Sequence, residues 1–247
     1  MIPIRDDAPR YTTPYVNYFL LALNTLVFLM TASGPLLQLH PSLQISMVFG
    51  FVPARVTALI QGAQYVSLPS MGPVPVNAIS AFVPIFTSMF MHATLWHLLG
   101  NMWVLYIFGD NIEDYLGHFR YLLFYLGTGL VAALVHYVFN VGSSIPTVGA
   151  SGAIAGVMGA YVVLYPSARV LTFVPLFFVF FFWLPAWAVL GFWFLWQFLN
   201  GAASALEPAR QAAGGIAVWA HVGGFIAGVA IIKMFPSRPR RYKYFYR

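Results

Sequence analysis

Apolar positions fall in six long blocks along the chain, near residues 15–32, 84–108, 121–141, 150–165, 182–200 and 215–235. Five are long enough to predict helices that cross a bilayer, since a span needs roughly 20 mostly apolar residues. The fourth block is short, and bilayer thinning or burial inside a bundle would accommodate it. A further apolar run at 170–181 precedes the fifth block, with Pro175 inside it and Pro185 close behind. The two together are too long for one straight span, so part of the run is expected to be re-entrant or interfacial. The stretch 33–83 is too long for a turn and carries amphipathic pieces such as 56–60. It is expected to pack beside the bundle or lie in the interface. The pattern therefore predicts an all-α polytopic membrane protein: a short tail over 1–14, a six-helix domain over 15–235 and a basic tail over 236–247.

Composition strengthens this picture. Only 7% of the 247 residues are charged, against about a quarter in a soluble domain. The segments 121–147 and 170–206 contain no charge at all. The first block follows Arg5 and Arg10 as a signal peptide would, but it is longer than the usual apolar core and lacks a small-x-small cleavage site, so it is read as a retained span.

The net charge of +6 could suggest nucleic acid, yet six of the twelve Lys and Arg residues lie at 233–247, beyond the last block. That placement suits a tail near anionic lipid rather than a nucleic-acid stripe. With the N-terminus inside, the cytoplasmic segments hold ten cations, including Arg5, Arg10, Arg120 and Arg169, and the external loops only Arg55 and Arg210. The positive-inside rule favours this orientation. The absence of cysteine excludes thiolate nucleophiles, thiolate metal sites and disulfides.

Polar side chains inside spans are costly and mark interior contacts or function. Here they are His92, His97 and Asn101 in the second block, Ser151 opening the fourth and His221 in the sixth, while His136 in the third stands alone and reads as structural. The second, fourth and sixth blocks all start from the outside, so most of these groups fall within roughly 5–20 Å of the external boundary. His97 and Asn101 are one turn apart and share a face, whereas His92 lies about 140° away and reads as an anchor for the external loop. Serine at a helix start is most often an N-cap. Two small-xxx-small pairs, Gly152 with Gly156 and Gly224 with Gly228, argue for more here, with Gly149 and Gly159 extending the small face. Such faces let two backbones approach closely in lipid, which would bring Ser151 within reach of His221. All six acids, Asp6, Asp7, Asp110, Glu113, Asp114 and Glu207, lie outside the apolar parts of the fourth and sixth blocks, so a Ser-His pair would work as a dyad.

These motifs, His92-x4-His97-x3-Asn101, Gly149-Ala150-Ser151-Gly152 and Ala220-His221-Val222-Gly223-Gly224, resemble in order and position those of the rhomboid intramembrane serine proteases of bacterial type. The likeness extends to Phe108-Gly109-Asp110-Asn111-Ile112-Glu113-Asp114 and to Leu184-Pro185-Ala186-Trp187. The resemblance implies Ser151 as nucleophile, His221 as general base and acid, and an oxyanion hole formed by His97, Asn101 and the Ser151 backbone N–H. It implies a structural role for Glu113 in holding helices together. It further implies membrane-anchored protein substrates, no cofactor or metal, and a bacterial inner membrane with both termini cytoplasmic. Water for deacylation would come from outside, past a mobile loop over 201–215.

Two positions depart from the family pattern. The Trp-Arg pair of many first external loops is absent, and Ala155 stands where several members place an aromatic beneath the histidine. Rival readings are a catalytically inactive rhomboid-like binding module, which usually lacks the serine or histidine, and a transporter, which would show paired charges at mid-membrane. A metalloprotease would need HExxH, and an aspartyl intramembrane protease two facing membrane aspartates. Neither pattern is present.

Overall fold

Helix α1 (Tyr15–Thr31) starts behind Pro14, which has no side chain able to cap it. A buried carboxylate from another helix does that work instead. Glu113, fully buried, accepts the backbone N–H of Val16 at 2.9 Å and of Asn17 at 2.7 Å, and its Oε1 lies 2.5 Å from His118 Nδ1. The orphan donors and positive end of a helix N-terminus suit a carboxylate there. Asn17 adds a second tie, donating to the Leu105 carbonyl and accepting from the Tyr121 hydroxyl at 2.8 Å.

The computed structural model describes residues 1–175, 179–206 and 217–235. After α1, a short strand pair β2 (Ala32–Ser33) with β3 (His40–Pro41) follows an N-terminal strand β1 (Ile2–Asp6). Next come α2 (Leu43–Phe49), α3 (Pro53–Ile60) and the hairpin β4 (Tyr65–Leu68) with β5 (Gly72–Pro75). This segment carries a small core of Met47, Val52, Ala54 and Leu68. Phe51, Val56, Ala81 and Ile85 pack against Leu130, Ala133 and Tyr137, so the 33–83 stretch lies beside the helices.

The remaining helices are α4 (Ala78–Thr87), α5 (Leu95–Leu116), α6 (His118–Phe139), α7 (Ser151–Leu164), α8 (Ala186–Leu206) and α9 (Val218–Ile232), with β6 (Arg169–Pro175) and β7 (Val179–Pro185) between α7 and α8. Among the described residues, α6 alone is both long and apolar enough to cross a membrane by itself. The α4 and α5 segments form a second candidate only as a pair bent by 74°. Helices α1, α7 and α9 are apolar but shorter, and the 14 residues of α7 span only about 21 Å. Almost all of α7 is buried, so its length answers to neighbouring helices rather than to lipid. Large apolar residues cover the outside instead, among them Leu29 and Met30 on α1, Leu123 and Val138 on α6, and Leu195 and Trp196 on α8. An aqueous fold would not leave so wide an apolar surface uncovered.

Three expectations are corrected. The fold is mostly helical rather than all-α, because β6 and β7 pair antiparallel and β6 also pairs antiparallel with β1. The 169–185 run is rich in Phe and Val and punctuated by Pro175 and Pro185, which favours strands over a continuous helix. The fifth helix therefore starts at Ala186, and residues of the 1–14 segment bond to the core through β1, Arg10 and Thr12. The second block does not make one helix over 84–108. It breaks after a 3-10 turn at Ser88–Phe90, and α5 restarts where the Thr94 hydroxyl accepts the His97 N–H at 3.1 Å.

The β1 strand is tied to α7, where the Tyr161 hydroxyl donates to the Asp6 carboxyl. Burial, with a smaller contribution from the charge of Asp110, pushes the Asp6 carboxyl up to about 7, although the Tyr161 bond opposes this. A carboxyl with a raised value in the docked state binds its proton more tightly there than in the open chain. Docking of β1 is thus fully favoured below the ordinary carboxylate range and loses that contribution as pH rises through about 7. Amide exchange of β1, corrected for intrinsic rate, should show more protection at about pH 5 than at about pH 8. Asp6→Asn should remove the difference; protection that is equal at both pH values in the unsubstituted chain would contradict the linkage.

Candidate active site

Helices α7 and α9 form the most extensive helix pair in the structure, and glycine is the reason. A Cβ added at Gly224 would overlap the Gly152 carbonyl, and one at Gly228 would overlap the Gly156 carbonyl. Gly159 faces the Phe225 carbonyl in the same way, while Gly152 and Gly156 also receive Ala132 and Thr128 of α6. Two backbones in direct contact fix the separation of the side chains at their N-terminal ends.

Ser151 is the first residue of α7 and His221 lies in the first turn of α9. The Ser151 hydroxyl does not cap its helix; Ala150 holds the cap position. Instead, Ser151 Oγ lies 2.7 Å from His221 Nε2. The other ring nitrogen, Nδ1, lies 3.0 Å from Gln197 Oε1 on α8. Trp193, one turn earlier on α8, places its ring 5.7 Å from the imidazole.

Gly149 leads into the serine with a φ of +137°, a region open mainly to glycine, and its N–H donates to the Ser88 carbonyl at 2.9 Å. A Cβ at Gly149 would stand 2.8 Å from His97 Cε1 and 3.4 Å from Ser151 Oγ, so His97 flanks the peptide preceding the serine. Asn101 follows one turn along α5. Its buried Nδ2 has no hydrogen-bond partner among the described residues. His97, Asn101, Ser151, Gln197 and His221 all line one cavity of about 620 Å3. A second apolar cavity of about 350 Å3 continues between α5 and α8 and shares Val104, Met158 and Trp193 with the first.

The structure thus gathers Ser151, His221, His97 and Asn101 around one space. His92 is not on the second helix; it lies in the bend before α5, fully buried, with its ring edge-on to His97 at 5.2 Å. His136 is held by Thr147 Oγ1 at 2.8 Å and by Asn140. The residues that sequence reasoning missed are Gln197 and Trp193. The available signal was an amide inside the uncharged 182–200 block, one of two there with Asn200. Of the segment 201–215, residues up to Leu206 continue α8, and the rest, with Glu207 and the 236–247 tail, lies outside the described residues.

The Rhomboid domain family matches residues 80–238 of the 247. The chain belongs to the rhomboid family. Rhomboid proteins are integral membrane proteins, which accords with the apolar exterior. Over 155 residues the chain is 32% identical to the Presenilin-associated rhomboid-like protein, mitochondrial, of Homo sapiens, covering 59% of this chain and 36% of that one. The Bos taurus protein of that name gives the same identity and coverage. Rhomboid protein 1, mitochondrial, of Saccharomyces cerevisiae is 31% identical over 100 residues, 39% of this chain and 29% of its own. The chain spans about a third of the length of the curated relatives it matches. Their names carry a mitochondrial location, in contrast to the bacterial inner membrane expected from sequence.

The helix contact generates a direct test. Gly224→Leu puts a side chain against backbone that cannot yield, so α9 must move away from α7. The variant should melt at a lower temperature in detergent, and the space between Ser151 and His221 should widen. A variant with wild-type melting and wild-type reactivity of Ser151 would show that the α7–α9 contact does not set the pair.

Proposed function

We propose that this rhomboid-family chain is a serine endopeptidase that cuts membrane-anchored proteins in or near their transmembrane segments. The observation that carries this reading is the Ser151–His221 hydrogen bond at a cavity that also holds Asn101, whose Nδ2 has no partner among the described residues. A serine hydroxyl is a weak nucleophile until an adjacent base takes its proton. His221 Nε2 is at the right distance to do so as Oγ attacks the scissile carbonyl, and then to return the proton to the leaving amine. The oxyanion that forms would meet the Ser151 N–H at the positive end of α7, with Asn101 Nδ2 and His97 donating from α5. Water then attacks the acyl-enzyme, with His221 again as base. No step requires a metal.

The proposal includes a six-helix membrane bundle over 15–235 with both termini on the cytoplasmic side, as the distribution of Lys and Arg favours. A bacterial inner membrane is the compartment proposed. The slot between α5 and α8 supports sideways access for a membrane-anchored chain, since its lining of Val104, Phe108, Leu190 and Trp193 is apolar.

Ser151→Ala and His221→Ala should each leave a folded protein with essentially no proteolysis, because nucleophile and base act as a unit. Fluorophosphonate labelling should vanish in Ser151→Ala, and EDTA should have no effect on cleavage. Asn101→Ala should lower kcat by about 10²–10³ with a smaller change in KM. Cleavage by a pure Ser151→Ala preparation would end the assignment.

A second prediction follows from the substrate's own backbone. A peptide bond must be extended to reach the serine, whereas a spanning helix keeps its carbonyls internally bonded, and each freed group in lipid costs several kcal/mol. Gly and Pro near the cut site lower that obstacle. Replacing them with Leu in a single-span substrate should slow cleavage in proteoliposomes while insertion is unchanged. Mass spectrometry should map the cut near the external membrane boundary; a cut confined to the cytoplasmic tail, or a rate indifferent to helix stability, would refute the picture.

A further inference from the structure

A Ser-His pair needs its imidazole in one tautomer, with Nε2 free to accept and Nδ1 carrying the hydrogen. Carboxylates commonly hold Nδ1 in that state. Here every acid among the described residues lies near the opposite ends of the helices, in β1 and its following residue or at the end of α5. The titratable side chains around His221 are His97 from α5, His136 from α6 and Ser151 from α7. The partner of Nδ1 is Gln197 Oε1 at 3.0 Å.

One tautomer satisfies both contacts, with Nδ1–H donating to Gln197 and Nε2 accepting from the Ser151 hydroxyl. Trp193 of the same helix packs its ring against the imidazole, tilted by 41°. Position 155 on α7 supplies only a buried methyl group. Trp193, Gln197 and Gly201 recur every fourth residue and so share one face of α8. Gly201 lets that face approach α9, since a Cβ there would lie 3.2 Å from the Trp219 ring. The α8 helix thus lies against α9 with an amide and an indole placed at the histidine.

We infer that Gln197 is the positioning residue for His221, holding its Nδ1–H and thereby the orientation and tautomer that let Nε2 act on Ser151. The inference rests on the protease reading for its consequence but on the hydrogen bond for its content. A neutral amide suits this depth: it accepts as a carboxylate would but brings no buried charge to be desolvated. It offers less to the imidazolium that forms during the reaction, so Gln197 sets geometry more than it stabilises charge. The arrangement also makes the base depend on α8, the helix bordering the slot through which substrate would pass.

The test uses the full chain in proteoliposomes with a single-span substrate, and the same chain with 15N-labelled histidine in micelles. Gln197→Met keeps the volume and removes the acceptor, whereas Gln197→Glu keeps an acceptor oxygen in either protonation state. Losing the partner that orients a functional imidazole typically costs roughly 10–100-fold, a figure established at metal sites. Gln197→Met should therefore lower kcat by about that factor with KM within about twofold, and Gln197→Glu should restore most of the loss. The His221 15N signals should report the Nδ1–H tautomer in the unsubstituted chain and a mixture in Gln197→Met. Wild-type kcat in Gln197→Met, an unchanged tautomer, or failure of Gln197→Glu to recover activity would overturn the inference. If the unsubstituted chain shows no Ser151-dependent cleavage, the protease reading fails, and the 15N spectra still decide whether Gln197 holds the ring.

Discussion

Direct contact between the backbones of α7 and α9 is the constraint on which the rest of this molecule turns. Gly152, Gly156, Gly224 and Gly228 leave no side chain between the two helices, and lipid supplies no hydrophobic drive to hold them together, so close packing has to do it. Ala132 and Thr128 of α6 close the same small-residue seam from a third side. The 2.7 Å separation of Ser151 Oγ and His221 Nε2 is a consequence of that seam. The hydroxyl and imidazole stand at the N-terminal ends of the two helices, beside the positive-φ entry at Gly149, where α7 turns its positive pole toward the cavity.

Polar groups are divided between two ends of the structure with different duties. At the end that carries β1 and the last turns of α5, Glu113 caps α1 in place of a residue of α1 itself. Thr12 bonds Asp114, and Tyr161 ties Asp6. Charge is used there to join elements, where the apolar zone ends. The cavity that Ser151 and His221 line has no carboxylate among the described residues and is lined by neutral donors and acceptors: hydroxyl, imidazole and amides. In a site surrounded by apolar side chains each unpaired charge would cost far more than each neutral group. The amide of Gln197 at the Nδ1 of His221 keeps to that pattern.

Much of this was written in the order of residues. The six apolar blocks, the small-residue spacing on α7 and α9, the shared face of His97 and Asn101, and the absence of any acid within the fourth and sixth blocks are properties of the linear pattern. Periodicity and composition report them because they depend on neighbours three or four positions apart, or on burial averaged over twenty. Family membership was legible for the same reason, through short motifs in a set order.

What the tertiary structure alone decided involves pairs far apart in the chain. The turn before α5 is held by Ser88, whose carbonyl accepts the Gly149 N–H from far along the chain, and β6 gains a second partner in β1, more than 160 residues earlier. Gln197 is 24 positions from the ring it holds. In the sequence it is one amide in an apolar run, with nothing to say which way it faces. Local pattern cannot specify such contacts, because the free energy that selects them comes from packing and hydrogen bonding between surfaces that meet only after the helices have assembled.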